Sequence, residues 1–330
     1  MEALRMISIA FGSLPAQAVA VAAQLGVVDH LAGGPRTAAE LARATGTHAA
    51  SLYRLLRALA TMEVLAEDAE GRFSSTPLGD TLRSDAPGSV RAAVIMAGDP
   101  TFTRACGEMA HSVRTGAPAF DHVFGAPFFD YLSTHPEAGT IFNQGMANFS
   151  AVENPAIAAA YDFPPGARVV DVGGGRGGFL AEVLKAHPGV RGVLYDLPEV
   201  VRDATYLTPL ADRCEVLAGD FFSSVPGGAD VYVVKRILHD WADDVCIRIL
   251  KTLRGAMGAG GRVLAIDAVI APAGQPDMNK VSDLVIMVVA PGRERTEREF
   301  ARLYGAAGFR LTRVIPTASA LSIVEGVAAA

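Results

Sequence analysis

The stretch Val169–Phe179, reading V-V-D-V-G-G-G-R-G-G-F, decides the fold of this chain. A short apolar run closes on Asp171, a glycine-rich run broken by Arg176 follows, and a helical pattern opens at Phe179. That order is strand, tight turn, helix. Glycine belongs in such a turn because a ligand must come close to the backbone and because the turn needs dihedrals that a Cβ opposes. The unpaired N–H groups at the start of the helix face the same crevice and suit a polar ligand.

Two ligand classes use such a loop. Gly173, Gly175 and Gly178 fit the dinucleotide pattern G-x-G-x-x-G. Gly173, Gly175 and Gly177 fit equally well the D-x-G-x-G-x-G loop of S-adenosylmethionine enzymes. The chain that follows separates them. From Asn154 onward strand and helix alternate, the mark of a doubly wound sheet. Strands are expected at 168–171, 191–195, 214–218, 230–235 and 262–267, with a helix over 178–186. After a helix over 296–307, two β runs at 309–315 and 321–325 lie close together around Pro316. A closing antiparallel hairpin is foreign to the standard dinucleotide fold and suits a Rossmann-like methyltransferase sheet.

Ligands of these sheets sit beyond the carboxyl ends of the strands. Asp171, Asp196, Asp220, Lys235, His239 and Asp267 all fall at or just past those ends. Asp196 stands where a carboxylate accepts both hydroxyls of a ribose, which either cofactor would use. Asp220 discriminates better, since a carboxylate there can accept from the exocyclic amine of adenine, with Phe221 as a ring to stack on. The plainer reading of Asp220 is that it caps a turn.

Composition narrows the class. Half of the 330 residues are apolar, and the mean hydropathy is +0.28. Such a surplus either spans a membrane or is buried against a partner. The sequence suggests no uncharged apolar run of about 18 residues, and 6–28 reads as one buried helix of a cytoplasmic protein rather than a signal peptide. The net charge of −6 disfavours nucleic acid. The three cysteines, Cys106, Cys214 and Cys246, form no paired spacing, which suits a reducing compartment. The histidines show no ligand spacing with acids, so no metal is expected.

The N-terminal region reads as helices followed by a hairpin. Leu14, Ala18, Val21 and Leu25 share a face, Thr37–Glu40 forms a capping box, and a helix is expected over 48–62. Runs at 64–67 and 72–75 flank a turn. This winged-helix order raises DNA binding as a rival function. Residues 1–100 carry eight Arg, no Lys and ten Asp or Glu, a poor match to a phosphate backbone. Used for packing, the same fold would bury the apolar surplus between two subunits. Between these regions lies a helical middle with breaks at Pro87, Pro100, Pro118, Pro127 and Pro136. Phe142, Met146 and Phe149 form a helical stripe there, more often core than pocket, with Asn143 and Gln144 beside it.

Taken together these residues resemble the S-adenosylmethionine-dependent O-methyltransferases of the plant caffeate and flavonoid type and their bacterial small-molecule relatives. The resemblance rests on V-V-D-V-G-G-G-R-G-G (169–178), Y-D-L-P-E-V (195–200), G-D-F-F-S-S-V-P (219–226), K-R-I-L-H-D-W (235–241), G-G-R-V-L-A-I-D (260–267) and G-R-E-R-T-E-R-E-F (292–300). L-G-V-V-D-H-L (25–31) and L-Y-R-L-L-R-A-L-A (52–60) look like that family's dimerisation domain. The resemblance implies S-adenosylmethionine as cofactor, bound by Asp171, Gly173, Gly175, Asp196, Leu197, Asp220, Phe221 and Lys235. It implies His239 as general base between Asp267 and Glu294, and an acceptor pocket touching Phe142, Asn143, Met146, Asp240 and Met287. The family usually brackets the base with two glutamates, so Asp267 is one methylene short. Pro291 also stands where relatives usually have glycine.

The expected architecture is an all-helical winged-helix dimerisation domain (1–84), a helical linker and substrate wall (85–153) and a catalytic α/β domain (154–330). The expected activity is methylation of a phenolic hydroxyl on a small aromatic or polyketide-type metabolite by a cytoplasmic homodimer, without nucleic-acid or membrane partners. Methylation of nitrogen, or a non-methylating reaction on the same fold and cofactor, is the alternative. A winged-helix regulator is the third reading.

Overall fold

A computed structural model describes residues 1–329 and divides the chain into two compact units. The first comprises Met1–Gly107 and Phe129–Phe149, the second Glu108–Phe128 and Ser150–Ala330.

The first unit opens with helices Glu2–Ala10 and Ser13–Gln24, separated at Phe11–Gly12. The single buried helix expected over 6–28 is therefore two helices, and it is mostly exposed. Only Ala20, Ala22 and Ala23 of the second helix are buried, and none of the first is. Leu4, Met6, Ile9, Phe11 and Leu14 all face outward. Glu2–Gln24 is also long and apolar enough to cross a membrane by length and composition, which corrects the expectation that no such run exists.

The helices Ala38–Thr45 and Ala49–Thr61 follow as read. The Thr37 hydroxyl accepts from Glu40 N (3.3 Å), and Glu40 Oε2 accepts from Thr37 N (2.8 Å). Strands β1 (Arg36–Thr37), β2 (Leu65–Glu67) and β3 (Arg72–Ser75) form a small antiparallel sheet in the order β1-β3-β2, so this region is not all-helical. Asp68 makes the hairpin by accepting from the amides of Glu70 and Arg72. Leu41, Leu52, Leu56, Leu59 and Phe73 fill the core of this unit.

The second unit is built on a seven-stranded sheet. Its strands are β4 (Arg168–Val172), β5 (Arg191–Asp196), β6 (Cys214–Ala218), β7 (Val231–Lys235), β8 (Arg262–Asp267), β11 (Phe309–Pro316) and β12 (Ser322–Ala328). Two short strands, β9 (Val269–Ile270) and β10 (Arg295–Thr296), pair with each other in parallel. The sheet order is β11-β12-β8-β7-β4-β5-β6. All neighbours are parallel except β12, which is antiparallel to both β8 and β11. The inserted C-terminal strand is the one the hairpin reading called for.

Both faces of the sheet are covered, which is why its central strands read as nearly continuous apolar runs. Val170, Val172, Tyr232, Val234, Val263 and Ala265 pack with Ile249, Leu250 and Leu253 of helix Asp243–Ala256 and with Phe300 of helix Glu297–Ala306. Val169, Val231, Val233, Leu264 and Ile266 pack with Phe179, Leu180 and Val183 of helix Gly178–Ala186. Strand order reverses between β4 and β7, which puts a crevice at their carboxyl ends.

Candidate active site

The crevice begins at the glycine turn after β4. Gly173, Gly175 and Gly177 have φ of +69°, +61° and +81°, a region L side chains rarely occupy. Gly174 is needed for space instead. A Cβ there would lie 2.6 Å from both the Asp171 carboxylate and Leu194. Gly173 N donates to Tyr195 O (2.8 Å), tying the turn to β5.

Asp196 closes β5, and its two oxygens accept from Gly175 N (2.8 Å) and Leu197 N (2.7 Å). A carboxylate has about four lone-pair sites, so each oxygen keeps one for a hydroxyl. Burial raises the Asp196 pKa, and the two amide bonds oppose that rise.

Asp171 and Asn154 hold acceptors that nothing among the described residues satisfies. No donor reaches either Asp171 oxygen or Asn154 Oδ1 within hydrogen-bonding geometry, and all three atoms are buried. Burial pushes the Asp171 carboxyl up to about 7, against the Lys235 charge, which works the other way. Lys235 ends β7, donates to the Ser150 hydroxyl (3.2 Å), and is brought down to about 8 by burial and the neighbouring Arg236 charge. A glycine cradle, free lone pairs on Asp196 and orphaned buried acceptors fit a ligand with a ribose and an ammonium group.

Asp220 caps its own turn. Its oxygens accept from Phe222 N (2.9 Å) and the Ser223 hydroxyl (3.2 Å), and the side chain is exposed. Phe221 is half-buried near Gly173, and Leu197 is exposed.

The second half of the site hangs on the exit from β7. Arg236 leaves the strand with φ +54°, a strained value for a non-glycine residue. Its guanidinium is fixed by Glu153 (2.7 and 3.3 Å). A short 3₁₀ turn, Leu238–Asp240, then presents His239. His239 Nδ1 lies 2.8 Å from Glu294 Oε1, and Nε2 lies 3.5 Å from Asp240 Oδ1. An ionised Glu294 can only accept, so Nδ1 carries the proton and donates.

Asp267, at the end of β8, is wholly buried, and neither of its oxygens meets a donor. Glu294 Oε2 meets none either. The β9–β10 ladder brings the Glu294 loop beside the end of β8, and Glu294 N donates to Asp283 Oδ1 (2.6 Å). Three carboxylates thus surround one imidazole. Burial disfavours the imidazolium, but Asp240, the Glu294 hydrogen bond and the charges of Asp267 and Glu294 outweigh it, raising the His239 pKa to about 9. Burial and the neighbouring acids lift Asp240 and Asp267 to about 6 each, with His239 opposing the rise.

Pro291 is exposed. The close approach in this loop falls one residue later: a Cβ on Gly292 would run into His239 O and the backbone of Asp240 and Trp241. Of the residues expected at the acceptor, Met287 is half-buried on helix Asn279–Val289. Phe142, Asn143 and Met146 belong to the first unit. There the Phe142 ring stacks on Phe102 (6.4 Å between centroids) and meets Phe129 edge-on (6.3 Å), and Asn143 is exposed. Four participants escaped the sequence reading: Asn154, the Glu153–Arg236 pair and Arg295. Arg236 and Arg295 lay inside motifs already singled out, K-R-I-L-H-D-W and G-R-E-R-T, and Glu153 and Asn154 lay in none.

Sheet order, glycine turn and strand-end acids define a methyltransferase. Residues 107–310 match the O-methyltransferase domain, and residues 7–85 match the O-methyltransferase dimerisation domain. The chain belongs to the S-adenosylmethionine-dependent O-methyltransferases. It is 42% identical to the phenazine O-methyltransferase PhzM of Lysobacter antibioticus, over 94% of this chain and 91% of that one. It is also 42% identical to the mitomycin biosynthesis 6-O-methyltransferase of Streptomyces lavendulae, over 95% and 91%. The crystal structure of CalO1, a methyltransferase in calicheamicin biosynthesis with S-adenosylhomocysteine bound, superposes with a TM-score of 0.90 at 44% identity, covering 99% of this chain and 98% of that one.

Proposed function

We propose that His239 is the general base of an O-methyl transfer to a phenolic hydroxyl on a small aromatic or polyketide-type metabolite, with Glu294 and Asp267 as its carboxylate supports. The observation that carries this reading is the buried imidazole held at 2.8 Å by Glu294 among three acids. A phenol has a pKa of ~10, so an ordinary histidine would take its proton at a cost of ~5 kcal/mol. With the imidazole raised to about 9, most of that cost is removed. The carboxylate cage makes the histidine a stronger base. The cost is that the same cage favours the protonated imidazole in the free site.

S-adenosylmethionine, when bound, supplies a methyl group on a positively charged sulfur. Asp196 would hold the ribose hydroxyls. Asp171 and Asn154 offer acceptors to the ammonium end, Gly173 and Gly175 line the backbone cradle, and Lys235 borders it. Asp220, Phe221 and Leu197 are assigned to the adenine side, although Asp220 must first release its turn. Phe142, Asn143, Met146, Asp240 and Met287 are assigned to the acceptor.

The matched dimerisation segment and the outward apolar side chains of Glu2–Gln24 support a homodimer, which we place in the cytoplasm. We assign 1–84 to dimerisation, 85–153 to the linker and substrate wall, and 154–330 to catalysis. The relatives named above act on a phenazine and in mitomycin biosynthesis, which supports an antibiotic-type acceptor here.

The test is an acceptor screen with labelled cofactor, run on the wild type and on His239→Ala. The variant should keep S-adenosylhomocysteine affinity and lose ~10²–10⁴-fold in turnover. Raising the pH should return part of the rate, because more acceptor then arrives ionised. Full activity of the variant on an amine acceptor would favour nitrogen methylation, which needs no strong base.

A further inference from the structure

The G-R-E-R-T run contains a second residue that grips the His239 turn, and its guanidinium holds the backbone of that turn rather than a side chain. Arg295 is 1% exposed, among the most deeply buried large side chains of the molecule. Its donors are all spent inside the protein. Nη1 donates to Leu238 O (2.7 Å) and Arg293 O (3.3 Å). Nη2 donates to Trp241 O (2.8 Å) and Asp243 Oδ1 (2.8 Å), and it lies 3.5 Å from Cys246 Sγ. Nε donates to Asp243 Oδ1 (3.0 Å). No donor is left over for a ligand.

The two carbonyls nearest the fork, Leu238 and Trp241, flank His239 and Asp240 on either side. We propose that Arg295 is the positioning residue for His239, pinning the turn by its backbone so that the adjacent Glu294 meets the imidazole. Consecutive residues of one loop thus hold the same turn twice, Glu294 by the ring and Arg295 by the carbonyls. The Cys246 thiol reinforces the same two carbonyls at 3.1 and 3.4 Å.

Burying a guanidinium costs several kcal/mol before it is repaired by partners. Its one charged partner, Asp243, is about half exposed and screened. The carbonyl bonds are therefore the larger part of what holds it, and they require a planar fork that lysine cannot supply. The positive charge also faces Asp267 and favours its ionised form. The groups facing His239 are then complete by element: Asp240 on its own turn, Asp267 from β8, and Glu294 from the loop before β10. Asp283 caps that loop from helix Asn279–Val289, and Arg295 lies behind the turn.

This inference rests on His239 being the base. The experiment uses the whole chain, labelled with ¹⁵N-histidine and saturated with S-adenosylhomocysteine, and follows the His239 ring nitrogens as pH is raised. Arg295→Lys should keep S-adenosylhomocysteine affinity within about threefold by calorimetry, yet move the His239 titration down by about one unit. Loss of the Nδ1 proton signal that marks the Glu294 bond should accompany that shift. Asp243→Asn loosens the fork from outside without touching the turn, and should move His239 in the same direction by less. It carries the test if the lysine variant does not fold. A folded Arg295→Lys protein, or failing that a folded Asp243→Asn protein, with a wild-type His239 titration overturns the proposal. Failure of the base assignment shows differently: His239→Ala would then methylate at the wild-type rate whatever Arg295 does.

Discussion

Replacing Asp267 with asparagine should make this enzyme more stable and slower at once. The carboxylate is wholly buried and no donor reaches either oxygen. Its folded-state pKa is about 6 against 3.8 for the free side chain, raised by burial first and by Glu294 and Asp240 next. A carboxyl with a raised pKa binds its proton more tightly in the folded state than in the unfolded one. Its ionisation therefore destabilises the fold, starting near pH 3.8 and growing until the pH passes about 6. Linkage makes this penalty partial at pH 5 and complete by pH 8, where it is on the order of a few kcal/mol.

Asparagine has the same shape and no charge, so it removes the penalty. Part of the gain is returned if its amide finds no acceptor, and the unpaired Glu294 Oε2 is a candidate for that role. Urea unfolding at pH 5 and pH 8 measures the difference. The variant should exceed the wild type at both values, and by more at pH 8. Equal stability at pH 8, or a gain independent of pH, would falsify the assignment of Asp267 as an unsatisfied carboxylate. Turnover should move the other way. Removing one of the charges that raise the His239 pKa weakens the base by moving it away from the ~10 of a phenol.

The other predictions concern the cofactor and assembly. If Asp196 is the ribose acceptor proposed above, Asp196→Ala removes it and unties Gly175 N, so calorimetry should show S-adenosylhomocysteine binding weakened by ~10–100-fold. Unchanged affinity would move the ribose elsewhere. Light scattering should give about twice the 34.4 kDa chain mass. Deleting Glu2–Ala10 should shift the mass toward monomer or aggregate, and a truncated chain that stays dimeric would clear that helix of the role.

The sheet was legible because its strands are buried on both faces and each ends on a polar residue. Apolar runs such as V-V-D-V and V-Y-V-V-K have few other readings once helices alternate with them. The N-terminal helices were less so. Periodicity in Leu14, Ala18, Val21 and Leu25 announces a face that needs covering, but it does not name what covers it. Read alone, the face became one buried helix. In the folded chain Leu14 and Val21 stand in the open, 62% and 38% exposed.

The site divides along the same line. His239, Glu294 and Asp267, which the fold brings together, could be singled out because each is a titratable side chain at or near a strand end. Arg295 could not, since an arginine in the charged run R-E-R-T-E-R-E reads as a solvated face. Its partners are the carbonyls of Leu238 and Trp241, more than fifty positions away, and a carbonyl has no residue type to betray it. The close approach at Gly292 was hidden for a related reason. A glycine matters where backbone meets backbone, and that meeting falls at Gly292 against His239 O, a register that only the folded loop reveals. One five-residue run therefore makes three contacts with the same turn: Gly292 allows the close approach, Glu294 accepts the imidazole's Nδ1 hydrogen bond, and Arg295 donates to the carbonyls on either side. A substitution in this run that preserves charge and polarity can still disarm the base, because what it must preserve is the position of two oxygens it does not contain.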